Sequence, residues 1–145
     1  MHILTKYLGE IEIYDRDIIH FNMGLMGFED CKEFILLDLP ENPHFKILQD
    51  IHEAYIGFLL IRPWDFFEDY DIEIPDKDLL KILIQNKEEL AIYNIVTLGT
   101  SFYDSTINLI APVVINTKEK LGQQFIINDC NYTTKHPLPL VKQGG

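Results

Sequence analysis

The chain has 145 residues, a length typical of one domain, and its 47% of hydrophobic residues excludes an intrinsically disordered protein. It carries 12 basic and 23 acidic residues, which gives a formal net charge of −11. Nucleic acids and anionic membranes attract lysine and arginine, so direct binding to either is disfavoured, whereas a basic protein partner is favoured.

The N-terminus lacks the basic segment and apolar run of a secretory signal, and no apolar stretch approaches the roughly 20 residues of a membrane helix. These features predict a cytoplasmic protein. Cys31 and Cys130 are the two cysteines, and they lack the Cys-x-x-Cys spacing of zinc and redox sites. We therefore expect both to be buried, reduced thiols.

Short stretches of alternating apolar and polar residues run along most of the chain, and this period is typical of β-strands. The predicted strands are 2–7, 10–14, 17–21, 32–39, 45–49, 55–61, 90–98, 106–116 and 123–128. One short helix is predicted after Asp76, which can cap it, because Leu79, Leu80 and Leu83 share one side of it. The pattern favours a mainly β domain: a small antiparallel β-barrel with one or two short helices. A β-sandwich is the alternative.

The glycines at 24 and 27 mark the main loop of the N-terminal half. Gly24-x-x-Gly27 lacks the third glycine of a dinucleotide fingerprint and is not followed by a helical pattern, so it predicts no nucleotide cofactor. It indicates a tight turn with Leu25 or Phe28 directed into the core. A loop that contacts a partner through Leu25 and Phe28 is the functional interpretation.

Acidic and aromatic residues are interleaved between Trp64 and Asp78, with a single lysine among them. One interpretation is a solvated loop whose aromatic side chains anchor it to the core. The other is a recognition surface, because aromatic anchors within an acidic rim suit a basic, amphipathic partner. The candidate contact residues are Asp65, Phe66, Phe67, Glu68, Asp69, Tyr70, Asp71 and Glu73.

The stretch 106–116 alternates so that Ile107, Leu109, Ala111, Val113 and Ile115 would share one face of a strand. Proline has no backbone N–H for a sheet ladder, so Pro112 predicts an edge, a bulge or a corner at that point. The residues Asn108, Ala111, Pro112 and Asn116 are interpreted as structural, like Gly24 and Gly27.

From Tyr132 onward the alternation ends. We expect a single domain over 1–131 and an extended C-terminal tail over 132–145, which ends in Gly144-Gly145.

The chain offers no recognisable catalytic or metal-binding motif. None of its five histidines is three or four residues from another, and no serine lies in a Gly-x-Ser-x-Gly motif. The acids of 65–78 do not follow the spacing of a calcium loop. The sequence therefore predicts a binding protein without enzymatic activity, cofactor or metal. A small-ligand-binding or nucleic-acid-binding β-barrel module is the alternative.

Several segments together resemble the family of the flagellar assembly factor FliW. Thr106-x-Asn108-Leu109-x-Ala111-Pro112-x-x-Ile115-Asn116 resembles its late core motif. The stretch Gly24-Leu25-x-Gly27-Phe28-Glu29 is similar to its early Gly-Leu-Pro-Gly-Phe-Glu turn, with Met26 in place of the proline. Further similarities, in the expected order, are Phe45-x-x-Leu48-Gln49, Pro63 with Asp69-Tyr70, and Gly122-x-Gln124.

The resemblance implies a function that the residue patterns alone do not indicate. Members of this family bind flagellin before its export, and they bind CsrA, a small RNA-binding regulator that represses translation of flagellin message. The implied mechanism is a partner switch, in which export of flagellin frees the factor to capture CsrA. Together with the charge and the N-terminal sequence, this leads us to expect a cytoplasmic monomer that does not itself bind nucleic acid or membrane.

Overall fold

A computed structural model of the protein describes residues 1–127 and 131–139. The strands are β1 (His2–Leu4), β2 (Glu10–Glu12), β3 (Ile19–His20), β4 (Glu33–Asp38), β5 (Phe45–Asp50), β6 (Gly57–Ile61), β7 (Leu90–Thr97), β8 (Thr106–Ile107), β9 (Val113–Asn116), β10 (Leu121–Gln124) and β11 (His136–Pro137). The α-helix is α1 (Asp76–Leu79), and single helical turns span Asp15–Asp17, Pro63–Asp65, Leu80–Ile82, Lys87–Glu89 and Phe102–Asp104.

Seven strands close into a barrel in the order β3-β4-β5-β6-β7-β9-β10, because β10 also pairs with β3. The predicted barrel is confirmed, and the sandwich alternative is not the architecture. All neighbours are antiparallel except β3 and β10, which run parallel with His20 opposite Leu121. Closure leaves no unpaired edge within the barrel. Outside it, β8 extends the end of β7, β11 pairs with β8, and β1 and β2 form a separate hairpin.

The strands are apolar on both faces because both faces are covered. Alternate residues point into the barrel, where large buried side chains form one cluster: Ile19, Phe21, Leu25, Phe34, Leu48, Leu60, Val113 and Ile115. Each such side chain contributes roughly 1.5–3 kcal/mol on burial. Outside the barrel, the β1–β2 hairpin covers β4, the segment after α1 covers β9, and the segment 63–72 covers β5 and β6.

The prediction of one continuous strand over 106–116 is wrong, because the chain breaks between β8 and β9. The Asn108 side-chain oxygen accepts hydrogen bonds from the backbone N–H groups of Ile110 and Ala111, at 3.1 and 3.0 Å. These bonds form a local turn that replaces the hydrogen bonds of a β-ladder at this point. Pro112, where an edge, a bulge or a corner was predicted, comes immediately after this turn. The alternating apolar residues are therefore split: Leu109 packs outside the barrel and Val113 inside it.

Several other predicted bounds also moved. β1 and β2 end at Leu4 and Glu12, three and two residues earlier than predicted, and β3 spans only Ile19–His20. The last barrel strand is Leu121–Gln124 and not 123–128. Within it, Gly122 lies directly against Phe21. A Cβ on Gly122 would come within 2.4 Å of that ring. The helix α1 is a single turn, in which Asp76 is the first residue and Pro75 precedes it as the cap position. The helical turn Leu80–Ile82 follows and ends at Leu83, whose φ is +59°.

The described part of the predicted tail packs on the domain. His136 pairs with Ile107, Leu138 is buried, and Thr133 accepts a backbone hydrogen bond from Leu109. Gly144-Gly145 and Cys130 lie outside the described residues. Cys31 is a free, half-buried thiol, and its pKa is raised by partial burial and by the neighbouring Asp50 carboxylate. Within 1–127 and 131–139, no helix is long and apolar enough to cross a membrane.

Candidate protein-binding surface

The acidic segment after β6 is folded by a series of tight turns. β6 ends before Arg62, and Pro63 starts a helical turn. The Pro63 carbonyl accepts hydrogen bonds from the N–H groups of Phe66 and Phe67, at 3.1 and 2.8 Å. A second turn follows, since the Tyr70 N–H donates to the Phe67 carbonyl. Along these turns Pro63 and Tyr70 are buried, whereas Glu68 and Asp69 are exposed.

The aromatic side chains of this segment anchor it to the barrel. Tyr70 is 4% exposed, and the Trp64 indole N–H donates a 2.8 Å hydrogen bond to the Tyr70 carbonyl. Phe66 and Phe67 are half-buried, and the Phe66 ring packs edge-on against Phe45. Tyr70 therefore anchors the segment to the core, as the first interpretation of this segment predicts, and offers no ring surface to a partner, whereas Phe66 and Phe67 remain partly exposed. The aromatic rings can bury their apolar area here because the outer face of β5 and β6 needs a cover.

Tyr70 also connects the acidic segment to the turn at Asn108. Its hydroxyl donates a 2.6 Å hydrogen bond to the Leu109 carbonyl and accepts one from the Asn94 amide at 3.3 Å. The same amide donates to the Asn108 carbonyl at 2.7 Å. Burial raises the pKa of Tyr70 to about 12. The acidic segment therefore rests on the same polar network that holds the late core motif in place, a connection that the sequence pattern did not predict.

The carboxylates of the segment face solvent. Glu68, Asp69, Asp71 and Glu73 are exposed, and none of them has an ion-pair partner among the described residues. Asp65 differs, because its carboxylate lies 3.3 Å from His44 and 4.0 Å from Arg62. The result is a negatively charged surface held on a rigid aromatic base.

A cleft opens beside these carboxylates. Its lining residues are Phe66, Phe67, Glu68, Asp69, Tyr70, Leu109, Asn131, Tyr132 and His136. Tyr132 packs against the Tyr70 ring, with the ring centroids 4.8 Å apart, and its hydroxyl bonds the backbone of Asp71. Sequence reasoning missed the contribution of 131–136. The only signals were one tyrosine and one histidine in a stretch without periodicity.

The second candidate region is the turn at 24–28. Leu25 is buried inside the barrel, whereas Phe28 is 40% exposed and contacts the Phe58 ring. Leu25 and Phe28 exchange two backbone hydrogen bonds, and the Gln124 side chain accepts a 3.0 Å bond from the Met26 N–H. Since Phe58 lies near the start of β6 and the acidic segment follows its end, the two candidate regions contact opposite ends of this strand.

Replacing Tyr70 with phenylalanine tests the connection to the late core motif. The change leaves the buried Leu109 carbonyl without its donor, so we expect a loss of about 1–3 kcal/mol in the free energy of unfolding at neutral pH. A tyrosine whose pKa rises on folding stabilises the fold below pH 10, and this contribution is lost as pH rises towards 12.

Urea unfolding of both proteins between pH 8 and pH 11 measures this effect. The difference between wild type and Tyr70→Phe should shrink as pH rises above about 10. Tyr55→Phe is the matched control, because Tyr55 is 71% exposed and should unfold with the wild-type protein. A difference that is absent at pH 8, or that grows with pH, would show that the Tyr70 hydroxyl does not stabilise the fold in this way.

Within the described part of the chain, no three histidine, cysteine or acidic side chains are placed to hold a metal ion. The arrangement around Tyr70 is instead an exposed acidic rim on a base of buried and half-buried aromatic side chains, and it is a candidate surface for a basic protein partner.

Comparison with known proteins agrees with this fold. The family model described as "FliW protein" matches residues 2–138. A flagellar assembly factor FliW of Geobacillus kaustophilus is 44% identical over 138 residues, which cover 95% of each chain. The corresponding protein of Clostridium botulinum (strain Okra) is 38% identical and covers 95% of this chain and 96% of its own.

A crystal structure of the flagellar assembly factor FliW superposes with a TM-score of 0.88 at 42% identity, covering 94% of this chain and 96% of the other. The agreement in sequence and in fold extends over nearly the whole length of both proteins. This chain therefore belongs to the FliW family, whose curated members bear the name flagellar assembly factor.

Proposed function

We propose that this protein acts in flagellar assembly in the cytoplasm by binding two protein partners in turn, flagellin and the translational regulator CsrA. The observation that carries the proposal is membership of the FliW family over residues 2–138. On this proposal the protein works by binding and not by catalysis, as a monomer, and has no direct contact with nucleic acid.

The proposed mechanism is competition by mass action. Cytosolic flagellin occupies the protein and leaves CsrA free to repress translation of flagellin message. When flagellin is exported, the vacated protein captures CsrA and repression ends. Such a switch requires only that the two partners exclude one another and that the flagellin concentration changes.

Charge supports this choice of partners. The net charge of −11 repels RNA and favours association with a basic protein surface. Glu68, Asp69 and Asp71 are exposed and lack ion-pair partners among the described residues, so a partner can reach them without first breaking a salt bridge. We therefore propose that these carboxylates contact CsrA, while Tyr70 supports them from below. The exposed ring of Phe28 is a secondary contact.

Reversal of the three carboxylates tests this surface. In the variant Glu68→Lys/Asp69→Lys/Asp71→Lys, each change adds two positive charges, so the net charge moves from −11 to −5. We expect at least a tenfold loss of CsrA affinity, measured by isothermal titration calorimetry, because like charges now face each other across the interface.

The control is Glu10→Lys/Glu12→Lys/Asp15→Lys, which makes the same change in net charge at exposed positions around β2. It should bind CsrA within about threefold of wild type, since it changes only the long-range field. Unchanged affinity of the first variant, in a protein that stays folded, would remove the acidic segment from the interface.

A further inference from the structure

The cleft beside the acidic segment is lined by aromatic rings and by carboxylates, and both attract cations. It has a volume of about 430 Å³, and its lining includes four aromatic residues from two separate stretches of the chain: Phe66, Phe67, Tyr70 and Tyr132. Small-ligand sites commonly have volumes of roughly 300–1,000 Å³. The buried Leu109 side chain lies at the base of the cleft.

Contacts within the described chain hold the walls of this cleft in place. Tyr70 and Tyr132 pack with centroids 4.8 Å apart, and Phe67 meets the His136 ring edge-on at 5.2 Å. The Tyr132 hydroxyl both accepts from the Asp71 N–H at 2.8 Å and donates to its carbonyl at 3.2 Å. The pairing of β11 with β8 fixes the stretch around His136. The site is therefore preorganised and does not need to be assembled on binding.

Two carboxylates, Glu68 and Asp69, line the same cleft. Both are exposed, and no described lysine or arginine lies within ion-pair distance of either. A cation within about 6 Å of an aromatic ring centroid is attracted by the ring quadrupole, and guanidinium groups are especially suited because they stack on rings and bond carboxylates with two parallel donors. The aromatic rings and the carboxylates of the cleft would therefore both attract the same bound guanidinium group.

We propose that this cleft is a binding pocket for an arginine side chain presented by a protein partner. The guanidinium group enters beside Phe67 and Tyr132 and pairs with Glu68 and Asp69, while its methylene stem covers the apolar lining. The proposal rests on the proposed function in one respect, namely that the ligand belongs to a protein and is not a free metabolite. The partner is thereby recognised by one inserted basic residue in addition to the general charge of the surface.

The test is a titration with the peptide acetyl-Gly-Arg-Gly-amide, followed by two-dimensional NMR of the full-length protein. We expect saturable shifts centred on residues 66–71 and 132. The peptide with citrulline in place of arginine has the same shape without the charge, and it should bind at least tenfold more weakly. Equal binding of the two peptides, or shifts that avoid these residues, would overturn the proposal.

Variants separate the two components of the pocket. Glu68→Gln/Asp69→Asn should lower the affinity for the arginine peptide at least fivefold, and Phe67→Leu should lower it at least threefold. The control Glu10→Gln/Glu12→Gln should not alter binding. If neither pocket variant changes the affinity, the proposal fails. All variants are first required to retain the dispersed NMR spectrum of a folded protein.

Capture of purified CsrA and flagellin by the same samples keeps this test distinct from that of the proposed function. Loss of peptide binding with intact capture of both partners would remove the pocket and leave the proposed function standing. Peptide binding by a protein that captures neither partner would support the pocket and contradict the proposed partners.

Discussion

Replacing Ala111 with aspartate should leave no folded protein at 25 °C. Ala111 is 1% exposed, and its backbone is held on both sides. Its N–H donates to the Asn108 side chain, and its carbonyl accepts a 3.0 Å hydrogen bond from the Gln124 amide. A carboxylate at this position would replace a buried methyl group and would have no ionic partner. We expect a loss of more than about 4 kcal/mol, a large part of the total stability of a domain of this size.

The matched control is Ala54→Asp. Ala54 is only half-buried, so the new carboxylate remains solvated and should cost less than about 1 kcal/mol. Circular dichroism and size-exclusion chromatography distinguish the two outcomes. An Ala111→Asp protein that elutes as a folded monomer and unfolds with wild type would refute the structural role of this motif residue.

A second large effect is expected at Gly24. Its φ is +65°, and a Cβ there would lie 2.5 Å from the Glu29 carbonyl oxygen and 2.6 Å from the Glu29 Cα. Both atoms belong to backbone, so no side chain can swing away to make room. The turn is also held by the hydrogen bond from the Gly24 N–H to the Phe21 carbonyl. Gly24→Ala combines left-handed strain with overpacking, and we expect a loss of roughly 2–5 kcal/mol.

Gly27→Ala isolates the contribution of the close contact. Gly27 also has a positive φ, +83°, but a Cβ there would meet no atom within 4 Å. Its cost should be limited to left-handed strain, roughly 1–2 kcal/mol. Urea unfolding of both variants gives the comparison directly. Equal losses of unfolding free energy in the two variants would mean that the close contact between Gly24 and Glu29 adds nothing to the cost of a Cβ at position 24.

The barrel was predictable from the sequence because each strand alternates with period two and closure explains why so few strands have a polar face. β4, β5, β6 and β7 lie within a residue or two of their predicted bounds. The break at 108–112 was not predictable in full. The Asn108 side chain forms the turn locally, but hydrogen bonds from Asn94 and Tyr70, which come from distant parts of the chain, also hold it.

The composition of the acidic segment located the candidate surface, but it did not predict which side chains of the segment face solvent. A pattern of interleaved acids and aromatics does not indicate which side chains turn inward, because that depends on which face of the barrel needs a cover. Tyr70 turns inward since β5 and β6 present Phe45, Ile47, Leu59 and Ile61 to it. The strand β11 has only two residues, too few for any periodicity, so its pairing with β8 was invisible as well.

The central claim is a switch between two partners, and competition binding tests it most directly. The purified protein is immobilised and offered CsrA and flagellin from the same bacterium, each alone and then together at increasing flagellin concentration. The account predicts capture of each partner alone and progressive release of CsrA as flagellin rises. Capture of both partners at once without displacement, or of neither by a folded sample, would contradict it.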